Sequence, residues 1–128
     1  MSAMSDYLEN EILDHILGTG AYTMPTTVYV GLSTGSFADD NSGTELTGSG
    51  YARVAASFGA AVSGTASNDA AVEFPAATGS WGVVSNFGVF DASSSGNLLI
   101  HGAFSASKTI TTGDILRVSV GDLDISAD

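Results

Sequence analysis

The sequence predicts a mainly β protein, a jelly-roll-like β-sandwich of about seven to eight antiparallel strands with one N-terminal α-helix. Three observations carry this expectation. Short apolar and β-branched segments recur at even spacing after Pro25, separated by Gly, Ser, Thr and Asn turns. A single segment has helical periodicity. Charged residues are 13 % of the chain, against about 25 % in ordinary globular domains. Their place is taken by Ser, Thr, Asn and 16 glycines, small side chains that suit packed sheets better than solvated helices.

The helix is expected over residues 6–17. Leu8, Ile12 and Ile16 recur four apart with Leu13 and Leu17 beside them, forming one apolar stripe. Asp6 with Glu9 three residues on reads as a capping box, with Ser5 as the alternative cap. Gly18 and Gly20 supply the stop. A β-sandwich should then occupy residues 26–125, and the 128 residues fit one domain.

Within that sandwich, Thr26–Ser33 is β-rich, and Thr34–Gly50 reads as a long surface loop with few apolar anchors. Tyr51–Phe58 and Asn68–Phe74 alternate as strands, and Pro75 closes the second because it cannot donate to a ladder. Val83–Asp91 and Asn97–Phe104 flank the loop ASSSG as a hairpin. Lys108–Thr111 is expected as a short edge strand, and Ile115–Val120 as the last strand, extended by Leu123 and Ile125.

Charge excludes several functions. Fourteen acidic residues against three basic ones give a net charge of −11. Arg53, Lys108 and Arg117 form no run, so the clustered cations that neutralise nucleic-acid phosphates are missing. The same acidity disfavours an anionic membrane surface. With no cysteine there is no thiolate for catalysis or metal binding. The acidic, interrupted N-terminal segment is unlike a signal peptide, and no apolar run approaches a membrane span. Synthesis and folding in the cytoplasm are expected.

Each chemical motif has a plainer reading. His15 is expected to interact with the C-terminal end of the helix dipole, and His101 to lie on a sheet face. No GxSxG or HExxH is present. Asp39 and Asp40 are adjacent carboxylates, but a solvated loop tip explains them better than glycosidase chemistry. Asp39, Asn41 and Glu45 offer oxygens for calcium without the EF-hand order. The glycines of GTGAYT follow a helix instead of a strand, unlike a phosphate loop. Trp81, near Phe87 and Phe90, reads as core more readily than as a sugar platform. No catalytic residue, metal or cofactor is expected.

The helix stripe must be buried somewhere, either on the chain's own sheets or on a neighbouring subunit. Its residues Tyr7, Leu8, Ile12 and Ile16, with Phe37, Asp39 and Asp40 of the long loop, form the candidate assembly interface.

The segments YLENEILDHILG (7–18), YVGLST (29–34), GYARV (50–54), FPAATGSWG (74–82), FGVFDA (87–92), GNLLIHGAF (96–104) and GDILRVSVGDLDI (113–125) occur in order. Together they resemble small virion structural proteins of tailed bacteriophages, in a cement/decoration or tail-fibre-like family. The resemblance implies a virion component and carries over no catalytic residue. The expected function is a capsid cement protein, a homotrimer on the outer capsid surface that binds the assembled major-capsid lattice and stabilises it by linkage. The alternative is a tail or fibre component that binds a host receptor or glycan. Partners are then the major capsid protein and the chain itself, with no nucleic acid and no membrane.

Overall fold

A computed structural model describes residues 2–127. Among them are one helix and nine strands, all paired antiparallel. In chain order they are β1 (Ser2–Met4), α1 (Asp6–Leu17), β2 (Val28–Ser33), β3 (Val54–Ala56), β4 (Thr65–Ser67), β5 (Val72–Glu73), β6 (Gly82–Phe90), β7 (Leu98–Ile110), β8 (Arg117–Val118) and β9 (Asp124–Ser126). The main sheet has the order β1-β7-β6-β2-β3, and two short ladders, β4-β9 and β5-β8, stand apart from it. The mainly β class with one N-terminal helix is as the sequence predicts.

The two faces of the main sheet follow from period-two alternation. Val30 and Leu32 of β2 share a face with Phe87 and Val89 of β6 through the pairs Val30↔Val89 and Leu32↔Phe87. This face packs on Val72, Phe74, Leu116, Val118 and Leu123, which the short ladders and their flanks supply. The opposite face carries the register pairs Tyr29↔Phe90 and Gly31↔Gly88. There Phe90 and Leu98 form a second buried cluster with Phe37.

The helix covers 6–17 as expected, but its cap is Ser5. The Leu8 N–H donates to Ser5 Oγ at 3.2 Å, so Asp6 lies inside the first turn instead of capping it. At the other end Gly18 takes a left-handed φ of 80° and donates its N–H to the Asp14 carbonyl. A side chain there would be strained, which is why glycine ends the helix.

Several strands differ from expectation. β1 has no counterpart in the sequence reading, because three residues carry no readable period; it pairs with Ile100–Gly102 near the start of β7. Asn97–Phe104 and Lys108–Thr111 are one strand, since β7 runs on to Ile110 beside β6. Tyr51–Phe58, Asn68–Phe74 and Ile115–Val120 shrink to ladders of two or three residues. The turn after Phe58 contains β4, which pairs with a separate last strand, β9. Between these pieces Asn68, 2 % exposed, replaces ladder hydrogen bonds. Its Nδ2 donates to the Ala70 and Ser119 carbonyls, and its Oδ1 accepts from the Leu123 N–H at 2.9 Å.

Candidate functional site

The candidate assembly residues separate into two environments. Leu8 is 7 % exposed and sealed against the chain's own sheet, while Tyr7 and Ile12 are half-buried. Ile16 is 70 % exposed, with Leu13 and Leu17 beside it exposed as well. The first turn of α1 therefore belongs to the fold and the last turn faces outward. The apolar stripe is divided because the helix points away from the sheet after its tethered start. That tether is Ser5, whose backbone N–H donates to the Leu99 carbonyl at 2.8 Å and whose hydroxyl donates to the Leu98 carbonyl.

His15 lies exposed in the last turn of α1, where the sequence places it, and it also has a specific partner. Its Nδ1 accepts the Tyr22 N–H at 3.2 Å, closing the turn that follows the helix. The Tyr7 and Tyr22 phenols are both raised above their ordinary value, first by burial; the carboxylates Glu11 and Asp91 add to this.

The long loop is anchored, contrary to its bland composition. Phe37 is buried and meets Phe90 edge-on at 5.6 Å. Asp39 Oδ1 lies 2.6 Å from His101 Nε2 on β7, and its carbonyl accepts the Asp6 N–H at 2.9 Å. Asp40 is exposed and accepts the Ser42 N–H at 3.0 Å; Ser42 holds its carboxyl below the usual value. Phe37, Asp39 and Asp40 are thus structural anchors or turn formers in this loop.

The Asp39–His101 pair is a histidine oriented by a carboxylate, the geometry a nucleophile would need. No hydroxyl among the described residues hydrogen-bonds to that histidine. The proposed calcium oxygens do not converge. Asp39 is engaged with His101, and both oxygens of Glu45 point at Arg53. No group of three or more His, Cys, Asp or Glu side chains placed to hold a metal occurs among the described residues. Trp81 is core, 6 % exposed, with Nε1 donating to the Ser49 carbonyl at 2.9 Å.

The strongest polar constellation was not singled out from the sequence. Arg53 Nε donates to Glu45 Oε2 at 2.8 Å and Nη2 to Oε1 at 2.7 Å. Its Nη1 donates to the Ala92 and Ser95 carbonyls of the β6–β7 turn. The guanidinium stacks 3.5 Å above the Phe90 ring. Tyr51 completes the group, donating to Glu45 Oε2 and accepting the Leu32 N–H at 2.9 Å. This network clamps the long loop and the hairpin tip onto the outer sheet face. One signal was available: an arginine flanked by apolar residues in a chain with three basic residues.

These features define a β-structured protein whose polar groups chiefly serve packing and turn closure. The chain belongs to the family of the podophage GP4 fiber I protein gp80, whose model matches residues 3–126. It is therefore a bacteriophage structural protein. No curated protein matches it.

Proposed function

We propose that the chain is a structural subunit of a podophage tail fibre, docked on another virion protein through the last turn of α1. The family favours the tail or fibre alternative over the capsid lattice expected first. The observation that carries the docking surface is the exposure of Leu13, Ile16 and Leu17, at 55, 70 and 71 %, which three- and four-residue spacing sets side by side on the helix. Contiguous exposed apolar groups of this kind mark interaction surfaces.

Charge selects the partner. Asp6, Glu9, Glu11 and Asp14 flank the apolar stripe, and His15 is the only basic residue on the helix. A homotrimer packed through this face would crowd these carboxylates together, which is unfavourable. The fitting partner is a different protein with an apolar groove rimmed by Lys or Arg. Opposite charges across the rim raise the association rate and fix register. The mechanical role then falls to the clamped sheet.

Immunogold labelling of intact particles with an antibody to this chain tests the location. Gold over the tail fibres supports the proposal, and gold confined to the head returns the capsid-cement function.

A further inference from the structure

Strand β7 departs from β6 at one place. The register passes from Asn86↔Ala103 to Val84↔Lys108, so β6 advances two residues while β7 advances five. The extra residues, Phe104–Ser107, have no partner on β6 and form a lip. Between this lip and β8 lies a groove of about 320 Å³ lined by Val84, Phe104, Lys108, Arg117 and Asp122. That volume is at the lower end of ligand pockets, roughly 300–1,000 Å³.

The groove gathers two of the chain's three cations. Arg53 is consumed by its internal pair with Glu45. Arg117 faces Glu73 at 3.7 Å, a long and exposed contact. Lys108 has no carboxylate within 4 Å among the described residues, despite 14 acidic residues in the sequence. Its register partner, Val84, is fully buried, so Lys108 stands on the core-facing row of β7 at the point where the cover ends. A lysine placed there leaves a cation at the mouth of the groove. Phe104, packed on Phe87 at 5.4 Å, supplies a fixed apolar face, and Asp122 supplies an acceptor for hydroxyl groups.

We propose that this groove binds an anionic saccharide. Lys108 pairs with the anion, Asp122 accepts sugar hydroxyls, and Phe104 packs on the C–H face of the ring. This deepens the fibre reading and rests on it only for where the saccharide comes from, since binding in solution and position on the particle fail independently. The anion can be a carboxylate or a phosphate, because an ammonium recognises either as a point charge.

The test is titration of the ¹⁵N-labelled full chain with glucuronate, glucose 6-phosphate or glucose, followed by amide shifts. The expected result is a saturable shift at Ala106, Lys108, Arg117 and Asp122 with one or both anions, and a much weaker response to glucose. Saturation by glucuronate alone identifies a carboxylate source, and by glucose 6-phosphate alone a phosphate source. Lys108→Gln should weaken the anion about tenfold, as loss of one charge-assisted contact does. Asp122→Asn should weaken it less, and both variants should retain the dispersed spectrum of the fold. Absence of a saturable shift, equal binding of glucose, or unchanged binding in Lys108→Gln overturns the proposal.

Discussion

Arg53 and Glu45 meet through two parallel hydrogen bonds of 2.7 and 2.8 Å, with the arginine side chain 8 % exposed and the glutamate 23 %. A buried pair of this kind is costly to break from one side, because the surviving charge is left without a partner. Arg53→Met should lower unfolding free energy by about 3 kcal/mol. Arg53→Met combined with Glu45→Met should be less destabilised than the two single losses summed, by about 1–3 kcal/mol of coupling. Urea unfolding of the four proteins measures both quantities, and additive losses would show that the pair does not act as a unit.

Gly31 faces this pair. A Cβ at that position would meet Glu45 Oε2 at 2.8 Å, the Tyr51 hydroxyl at 2.9 Å and Phe90 Cε1 at 3.0 Å. Gly31→Ala should therefore destabilise by about 1–3 kcal/mol, the usual cost of overpacking. A midpoint of denaturation equal to that of the native chain would refute the close approach.

Tyr51 should be silent in an alkaline titration. Burial raises its phenol far above the ordinary value of 10.0, and the hydrogen bond to Glu45 raises it further. In the unfolded chain the same phenol ionises near its ordinary value. The folded state then holds the proton that the unfolded state loses, so this contribution to stability is complete below about pH 10 and declines above it. Absorbance at the phenolate band should show Tyr51 ionising only together with unfolding. Tyr51→Phe should remove that coupling while also losing the two hydrogen bonds.

Ser5 joins the helix to the sheet with one side chain. Its hydroxyl donates to Leu98 and accepts from Leu8. Ser5→Ala should cost about 1–2 kcal/mol, toward the upper range of cap substitutions, because the position is buried. Amide exchange should accelerate first in α1, and uniform acceleration across the sheet would argue against a local tether.

What could be read from the sequence was whatever has a period. The Leu8–Ile12–Ile16 spacing located α1 to the residue, and the alternation of Val83–Asp91 located β6 within one residue at each end. Ladders of two or three residues have no period to read. β1, β4 and β9 are fixed by partners more than 50 residues away, such as Ser67 with Asp124 and Ser2 with Gly102. The core role of Trp81 followed from its surroundings. The clamp around Arg53 did not, because Glu45, Tyr51 and the Ala92–Ser95 turn converge only after β2, β3 and the hairpin have paired. Phe37 stands in a loop whose composition gives no sign of burial, and its ring is accommodated where Gly88 lacks a side chain: a Cβ there would meet Phe37 Cε2 at 3.2 Å.

The proposed docking through the exposed end of α1 makes incorporation of this acidic, sheet-built subunit into the particle depend on Ile16 and Leu17. Complementing a phage that lacks the chain with Ile16→Asp/Leu17→Asp protein, and quantifying the chain in purified particles by mass spectrometry, tests it most directly. Both residues are about 70 % exposed, so the variant should keep its circular dichroism and melting temperature yet be lost from the particles. Incorporation of the folded variant at the native level would contradict the claim.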